Sequence, residues 1–333
     1  MNKWIGHTKI IKGGDILPKP IVFMFSGQGS QHYYMGKELY CQNTIFQQWM
    51  SKLNDIVYQN VGFSIIDEVY NGAKSKADNF DRLLYTHPAI FMVEYSLARV
   101  LIENGLEPDY VLGASLGEFT SAAVAGVISV DETLQCLLKQ AQLIESSCKS
   151  GSMIAVIDNI GLYNQSAIFS RYSELAAVNY SSHFIISGDS ENLLTIEAYL
   201  RERGILFQTL PVRYGFHSSN IDVIGGEYKS FLCNFSFKKP EIPVISCLLN
   251  SRLTKVPQDY FWNVARQPIG FQQTILELEK DDQFTYIDVG PSGTLANFVK
   301  RNLSQNSLSQ VYAVLSPFGQ DVKRLKNLKE SLC

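Results

Sequence analysis

Tyr110-Val111-Leu112-Gly113-Ala114-Ser115-Leu116-Gly117-Glu118 compresses a strand, a turn and a helix start into one short run. Three apolar strand residues lead into small residues around one serine, and a small-residue helix follows over 118–127. Gly113 to Gly117 fits G-x-S-x-G. Small neighbours are needed because a sharp strand-to-helix turn exposes the serine Oγ at a helix N-terminus, where backbone N–H groups can hold an oxyanion. Alone, the five residues would equally suit a glycine-rich turn closing a βα unit. The strand before them and the helix after them supply the context that a nucleophile elbow requires.

N-terminal to this run, Ile21 to Phe25 reads as a buried strand that stops at the polar turn Ser26-Gly27-Gln28-Gly29-Ser30-Gln31. Thr86-His87-Pro88 opens a helix, with Pro88 in the first turn where a missing N–H costs little. Ala89, Met92, Val93, Leu97 and Val100 give that helix an apolar stripe. On the C-terminal side, Asp131 is placed to cap a helix whose buried face is Leu134, Leu137, Leu138, Ala141 and Ile144. Hydrophobic strands alternating with helices predict a parallel α/β sheet, which 242–246 and 286–289 resume near the end.

The middle of the chain changes character. A strand at 153–157 precedes an amphipathic segment at 162–172. Strands at 175–180 and 184–187 flank a Ser181-Ser182 turn, a helix at 191–203 ends at Gly204, and a last strand spans 205–212. That order, β-α-β-β-α-β, is the signature of a ferredoxin-like module. The length of 333 residues also exceeds one small core. The expected fold class is therefore α/β: an α/β-hydrolase-like large domain with a parallel sheet, from 20–149 and 217–333, plus an inserted ferredoxin-like small domain at 150–216. Residues 1–19 read as an N-terminal extension.

Apolar residues make up 46% of the chain and charged residues 18%, with a net charge of −3, which excludes disorder, collagen or coiled coil for the whole. No basic excess suggests a nucleic-acid partner. Six scattered cysteines without a C-x-x-C pair speak against a disulfide framework or a zinc cluster. The first nineteen residues carry no apolar run of signal-peptide type. No stretch approaches the roughly 20 apolar residues that span a bilayer. The expectation is a cytoplasmic enzyme with no membrane partner.

A serine nucleophile needs a base. Of five histidines (His7, His32, His87, His183 and His217), His7 lies in the extension and His183 beside a surface hairpin, and both are expected to be inert. His217, in Tyr214-Gly215-Phe216-His217-Ser218-Ser219, sits where the chain returns from the small domain to the large one, a crossing that overlooks an interdomain cleft. Gly27 to Gln31 lacks the Gly-Lys-Ser/Thr ending of a phosphate loop, but its backbone N–H groups suit an oxyanion hole. A generic esterase would require an acid between Ser and His. Asp189 is the candidate for that rival triad, and otherwise a turn residue after its strand.

These motifs together resemble the malonyl-CoA:acyl carrier protein transacylase family, including the acyltransferase domains of polyketide synthases. The resemblance runs from Pro20 to about Pro317. It rests on Phe25 to Gln31, Gly113 to Glu118, Ala177-Val178-Asn179 with Ile186-Ser187-Gly188, Phe216-His217-Ser218, and Asp288-Val289-Gly290-Pro291. It implies that Ser115 is the acyl-accepting nucleophile and His217 its general base. The backbone N–H groups of Gln28 and Leu116 would form the oxyanion hole, and a backbone carbonyl near Val264 would orient the histidine. His87, Asn179, Phe216 and Gln140 would bind substrate.

Three departures stand out. The family's His before the nucleophile is Ala114 here, and the Gln of its Thr-Gln-Pro motif is His87. The Arg that malonyl-loading members place on the helix after the elbow falls on Gln140. That Arg forks two N–H bonds onto the malonyl carboxylate, and a Gln offers no charge. Losing one partner of a buried charged pair costs about 2–5 kcal/mol, so an uncharged acyl group should sit more comfortably. Gln at this position resembles the free-standing acyl hydrolases that accompany polyketide synthases lacking built-in acyltransferase domains. The expected activity is therefore hydrolytic release of acyl groups from acyl carrier protein in polyketide biosynthesis. The alternatives are transfer of a malonyl or unusual acyl unit from CoA onto acyl carrier protein, and a catalytically idle docking protein for carrier domains. No cofactor or metal is expected, because the phosphopantetheine arm belongs to the substrate. Arg201 with Arg203, or Lys300 with Arg301, are candidate basic contacts for an acidic carrier.

Overall fold

The computed structural model describes residues 19–332. The expected extension, with His7, lies outside the described residues except for Lys19, and Cys333 lies outside them as well. In chain order the strands are β1 (Ile21–Phe25), β2 (Tyr110–Gly113), β3 (Gly151–Val156), β4 (Glu174–Tyr180), β5 (His183–Asp189), β6 (Phe207–Thr209), β7 (Val244–Ser246), β8 (Ser251–Leu253), β9 (Thr285–Asp288) and β10 (Gln310–Ala313). Six of them form a sheet in the order β10-β9-β1-β2-β7-β8, parallel except for the β7–β8 pair.

The apolar run of β1 is buried on both faces. Val22 and Met24 pack with Leu112, Ile245, Phe271 and Tyr286 on one side, while Phe23 and Phe25 join the larger cluster on the other. Helices cover both faces, as a central parallel strand requires. Phe25 pairs with Gly113, Gly113 with Ser246, and Met24 with Asp288. The loops that leave β1, β2, β7 and β9 therefore emerge at one edge, the carboxyl edge, where open α/β sheets place their sites.

The second sheet is antiparallel, in the order β4-β5-β3-β6, around a separate core of Ile154, Val156, Phe169, Phe184, Ile186, Leu193, Ile196 and Leu200. Connection and order are those of a ferredoxin-like module. Two backbone bonds, Val178 N to Ile269 O (3.1 Å) and Ile269 N to Ala176 O (2.8 Å), tie β4 to the large sheet's loops across a cleft.

Several elements depart from expectation. The helix expected to open at Thr86 is Leu83–Glu103, so Pro88 lies beyond the first turn and forfeits the bond to the Leu84 carbonyl. The fully buried Leu83 anchors an earlier start, and packing on nearly every side carries the helix past its proline. Helix Val130–Ser147 is capped by Ser129 in a capping box with Glu132, and Asp131 lies inside the first turn. Segment 162–172 forms two short helices, Gly161–Gln165 and Ala167–Tyr172, broken where Ser166 leaves the helical region. The last small-sheet strand is regular over Phe207–Thr209, its bonds to the β3 side reaching Leu206 and Leu210, and it runs out before Pro211, which has no N–H to offer. Edge strands β8 and β10 were not anticipated. Among the described residues, no helix is long and apolar enough to cross a membrane.

Candidate active site

Ser115 ends the β2 turn with φ +56°, the left-handed conformation of a strained elbow. A Cβ at Gly113 would stand 2.4 Å from the Glu118 Cα, and one at Gly117 would stand 2.0 Å from the Phe25 carbonyl oxygen. Only glycine lets helix Gly117–Val124 start this close to β1, which explains both glycines of the pentapeptide. Behind the elbow, buried Glu118 accepts bonds from Cys247 N (2.8 Å), Ser246 Oγ (3.2 Å) and Tyr260 OH (2.7 Å), locking the helix to the loop after β7. Burial pushes its carboxyl up to about 7, against the pull of those bonds.

His217 also has a positive φ, +59°, and its backbone N–H is pinned to the Ala265 carbonyl at 2.8 Å. Its Nε2 lies 2.8 Å from Ser115 Oγ, and its Nδ1 lies 2.8 Å from the Gln267 carbonyl oxygen. A carbonyl only accepts, so Nδ1 carries the proton and Nε2 presents a lone pair to the serine hydroxyl. Burial lowers the imidazole's pKa to about 4, the Gln267 bond opposing and the nearby Arg266 charge reinforcing the shift. The ring is thus a neutral base at ordinary pH. The orienting carbonyl is that of Gln267 and not one near Val264, because the ring reaches past the end of helix Tyr260–Arg266. Asp189 caps helix Ser190–Glu202 through the Glu191 N–H, and the Nδ1 a triad acid would need is already engaged, so the rival triad does not form.

The two oxyanion candidates flank the serine. A Cβ on Gly27 would meet Ser115 Cβ at 2.8 Å and Leu116 N at 3.3 Å, so the β1 loop presses directly on the elbow. Neither the Gln28 nor the Leu116 backbone N–H donates to a protein acceptor among the described residues.

Two spaces open from Ser115. A cleft of about 420 Å³ runs between the sheets, lined by Gln28, Asn179, His183, Phe216, Leu295 and Phe298 among others. Behind the serine a cavity of only about 10 Å³ is bounded by Gln28, His87, Phe119, Gln140, Phe216 and Val264. Among the described residues, no Lys, Arg, Asp or Glu lines either space.

The structure brings Gln140, His87 and Phe216 together around that small cavity. Gln140 is buried, and its Nε2 closes no well-aligned hydrogen bond although the Tyr228 hydroxyl is near. His87 packs against Phe216 with centroids 5.7 Å apart, and burial drives its pKa to about 3. Asn179 sits on the opposite wall, where its Nδ2 is 3.0 Å from His183 Nδ1. His183, expected to be inert, is therefore a cleft residue. β5 begins at this histidine, and its ring turns inward against Tyr180 and Phe298.

A family model described as acyl transferase domain matches residues 22–332. The chain belongs to that family. Among its curated relatives, the polyketide biosynthesis acyltransferase homolog PksD of Bacillus subtilis is 46% identical over 93% of this chain and 96% of its own length. BaeD of Bacillus velezensis, named likewise, is 45% identical over 94% and 97%. The solved acyltransferase domain from the second module of the salinomycin polyketide synthase superposes with a TM-score of 0.83 at 25% identity, covering 93% of this chain and 72% of that one. The α/β-hydrolase-like large part with a ferredoxin-like insertion is the architecture of the acyl transferase family.

Proposed function

We propose that this acyl transferase family member is a serine-dependent acyl hydrolase of polyketide biosynthesis that releases acyl groups from acyl carrier protein. The single observation that carries the reading is the Ser115–His217 contact at 2.8 Å beside a pocket without a cation. His217 Nε2 takes the Ser115 proton as Oγ attacks the thioester carbonyl, and the Gln28 and Leu116 N–H groups receive the oxyanion. The intermediate collapses, the C–S bond breaks, and the imidazolium returns its proton to the pantetheine thiolate. Water then loses a proton to the same Nε2 as its oxygen attacks the Ser115 ester; the acyl C–Oγ bond breaks, the acyl group leaves as the free acid, and the imidazolium returns the proton to Oγ.

Gln140 in the family's arginine position disfavours a free carboxylate on the acyl chain, since among the described residues no cationic side chain in either space would pair with it. The pantetheine arm enters through the larger cleft past Asn179 and Phe298. Thr294, Leu295 and Phe298 of helix Thr294–Asn302 line that cleft, and Lys300 and Arg301 in its last turn are the basic contacts that an acidic carrier would use in this reading. Arg201 is instead paired with Glu197, and Arg203 stacks on Tyr199. The second reading, transfer of an unusual acyl unit between thioesters, is favoured by the similarity to PksD and BaeD, both named acyltransferase homologs.

Acetyl-, malonyl- and longer acyl-carrier proteins incubated with the enzyme and followed by intact mass separate the two. Catalytic release of free acid, with acetyl ahead of malonyl, is the expected result. Passage of the acyl group to a second carrier without acid release would establish transfer instead, and the absence of any acyl-enzyme would overturn both.

A further inference from the structure

Glu94 lies in the middle of helix Leu83–Glu103, fully buried, between the β1 loop and the elbow helix. Among the described residues, no cation is a partner of it. Its Oε1 lies 2.7 Å from Ser26 N and 2.9 Å from Ser26 Oγ, and Oε2 lies 2.9 Å from Thr120 Oγ1. The nearest charged influence is Asp288 at the end of β9, itself held by the N–H groups of Gly290 and Ala296. Burial, with Asp288 adding to it, pushes the Glu94 carboxyl up to about 8 despite the bonds from Ser26 and Thr120.

Hydrogen counting agrees with that protonation state. Ser30 Oγ is 2.8 Å from the Gly27 carbonyl oxygen, which can only accept, so the Ser30 proton is committed there. Ser26 Oγ is 3.0 Å from Ser30 Oγ, a contact that must then use the single Ser26 proton. The single Ser26 proton cannot also serve the Ser26 Oγ–Glu94 Oε1 contact, so all three contacts close as hydrogen bonds when Glu94 supplies the proton for that one. The chain of donors therefore runs one way, from Glu94 through Ser26 and Ser30 to the Gly27 carbonyl. That carbonyl belongs to the same trans peptide unit as the Gln28 N–H, so fixing the oxygen aims the N–H to the opposite side. A bonded carbonyl also makes its peptide N–H the stronger donor. The other carboxyl oxygen grips Thr120 on the helix that follows the Leu116 N–H.

We propose that Glu94 is a positioning residue for the oxyanion site, a buried carboxylic acid whose proton starts the relay that aims the Gln28 N–H at the reacting carbonyl. The inference rests on the reading of Ser115 as nucleophile and Gln28 as oxyanion donor. Its test follows acetyl-pantetheine hydrolysis by the full chain, with kcat and KM from about pH 5 to about pH 10 and the acyl-enzyme mass. Glu94→Leu should lower kcat about 10²-fold with KM little changed, the size of effect seen when one oxyanion donor is lost. Glu94→Gln, unlike Leu, can turn its amide nitrogen to donate to Ser26 Oγ while its oxygen takes the Thr120 hydroxyl, so it should recover most of kcat. Wild type should lose kcat above about pH 8, and Glu94→Gln, with no proton to lose there, should not. Equal impairment of both variants with an unshifted alkaline limb would make Glu94 merely structural and overturn the proposal, as would a folded Glu94→Leu at wild-type kcat. Should Glu94→Leu not fold, Ser30→Ala breaks the last link while leaving the core intact, and wild-type kcat there overturns the relay. Turnover persisting in Ser115→Ala would mark the failure of the parent reading, whereas a dead Ser115→Ala beside an active Ser30→Ala sinks the relay alone.

Discussion

At Ser115 the hydroxyl proton has one built-in acceptor, and the pKa of that acceptor sets where the chemistry can run. His217 is neutral until the pH falls to about 4, so its base form is lost only below that value. The acid limb of kcat/KM should accordingly have its midpoint near 4, well below the ordinary histidine value, and a midpoint near 6.5 would contradict the buried base. Ser115→Ala should cut turnover by about 10⁴-fold or more while leaving the thermal melt nearly unchanged, and activity near wild type would remove the serine from the mechanism. At Gln140, substitution by Arg places a guanidinium beside a cavity of about 10 Å³ that holds no other charge. Malonyl should gain on acetyl by about 30- to about 4 × 10³-fold in kcat/KM, the range that about 2–5 kcal/mol of charge pairing allows. Competition between malonyl and acetyl thioesters measures it, and an unchanged ratio would mean the selectivity position lies elsewhere.

The elements that sequence revealed were those with local periodic signals. The apolar runs of β1, β2, β7 and β9, the glycine-flanked elbow and the β-α-β-β-α-β order all have patterns that short stretches can hold. Edge strands β8 and β10 escaped because they are short and partly exposed, and their pairing depends on partners far along the chain. His183 escaped because its role comes from Asn179 and from Phe298 on a distant helix, contacts that spacing does not encode. Glu94 did leave a trace, a carboxylate inside the apolar run from Ala89 to Leu97, which signals a satisfied buried acid. The cap of helix Val130–Ser147 shows how close two readings can lie, since Ser129 and Asp131 are both good cap residues. In the structure Ser129 and Glu132 bond reciprocally, whereas Asp131 accepts only from the Gln135 side chain. Ser129→Ala should therefore cost about 1 kcal/mol and Asp131→Ala no more than a few tenths, read by chemical denaturation. Reversed magnitudes would return the cap to Asp131.

For the molecule as a whole, the buried titratable groups pull stability in opposite directions with pH. Glu94, Glu118 and Asp288 keep their protons in the fold up to about 8, 7 and 6 respectively, above their unfolded values. Between those unfolded values and the folded ones, the native state binds more protons than the unfolded chain, so their contribution is full at acid pH and is lost as pH rises. His87 and His217 behave oppositely. Their folded values of about 3 and about 4 lie below 6.5, so the unfolded chain takes up protons that the fold refuses, and stability falls as pH drops below 6.5. From about pH 6.5 to 8 only the carboxyls act, and stability must decline with rising pH. Below about pH 4.5 the acids are protonated in both states and only the histidines act, so stability must decline with falling pH. The maximum melting temperature should therefore lie on the acid side of neutral, at about pH 5 to 6, with an alkaline fall that Glu94→Gln flattens. Differential scanning across that range checks it, and a maximum at or above pH 8 would mean these carboxyls are ionised in the fold. The same acid then limits both properties: the enzyme works where His217 has lost its proton and Glu94 has kept one, and on the alkaline side the loss of the oxyanion loop's support and the loss of fold stability begin together.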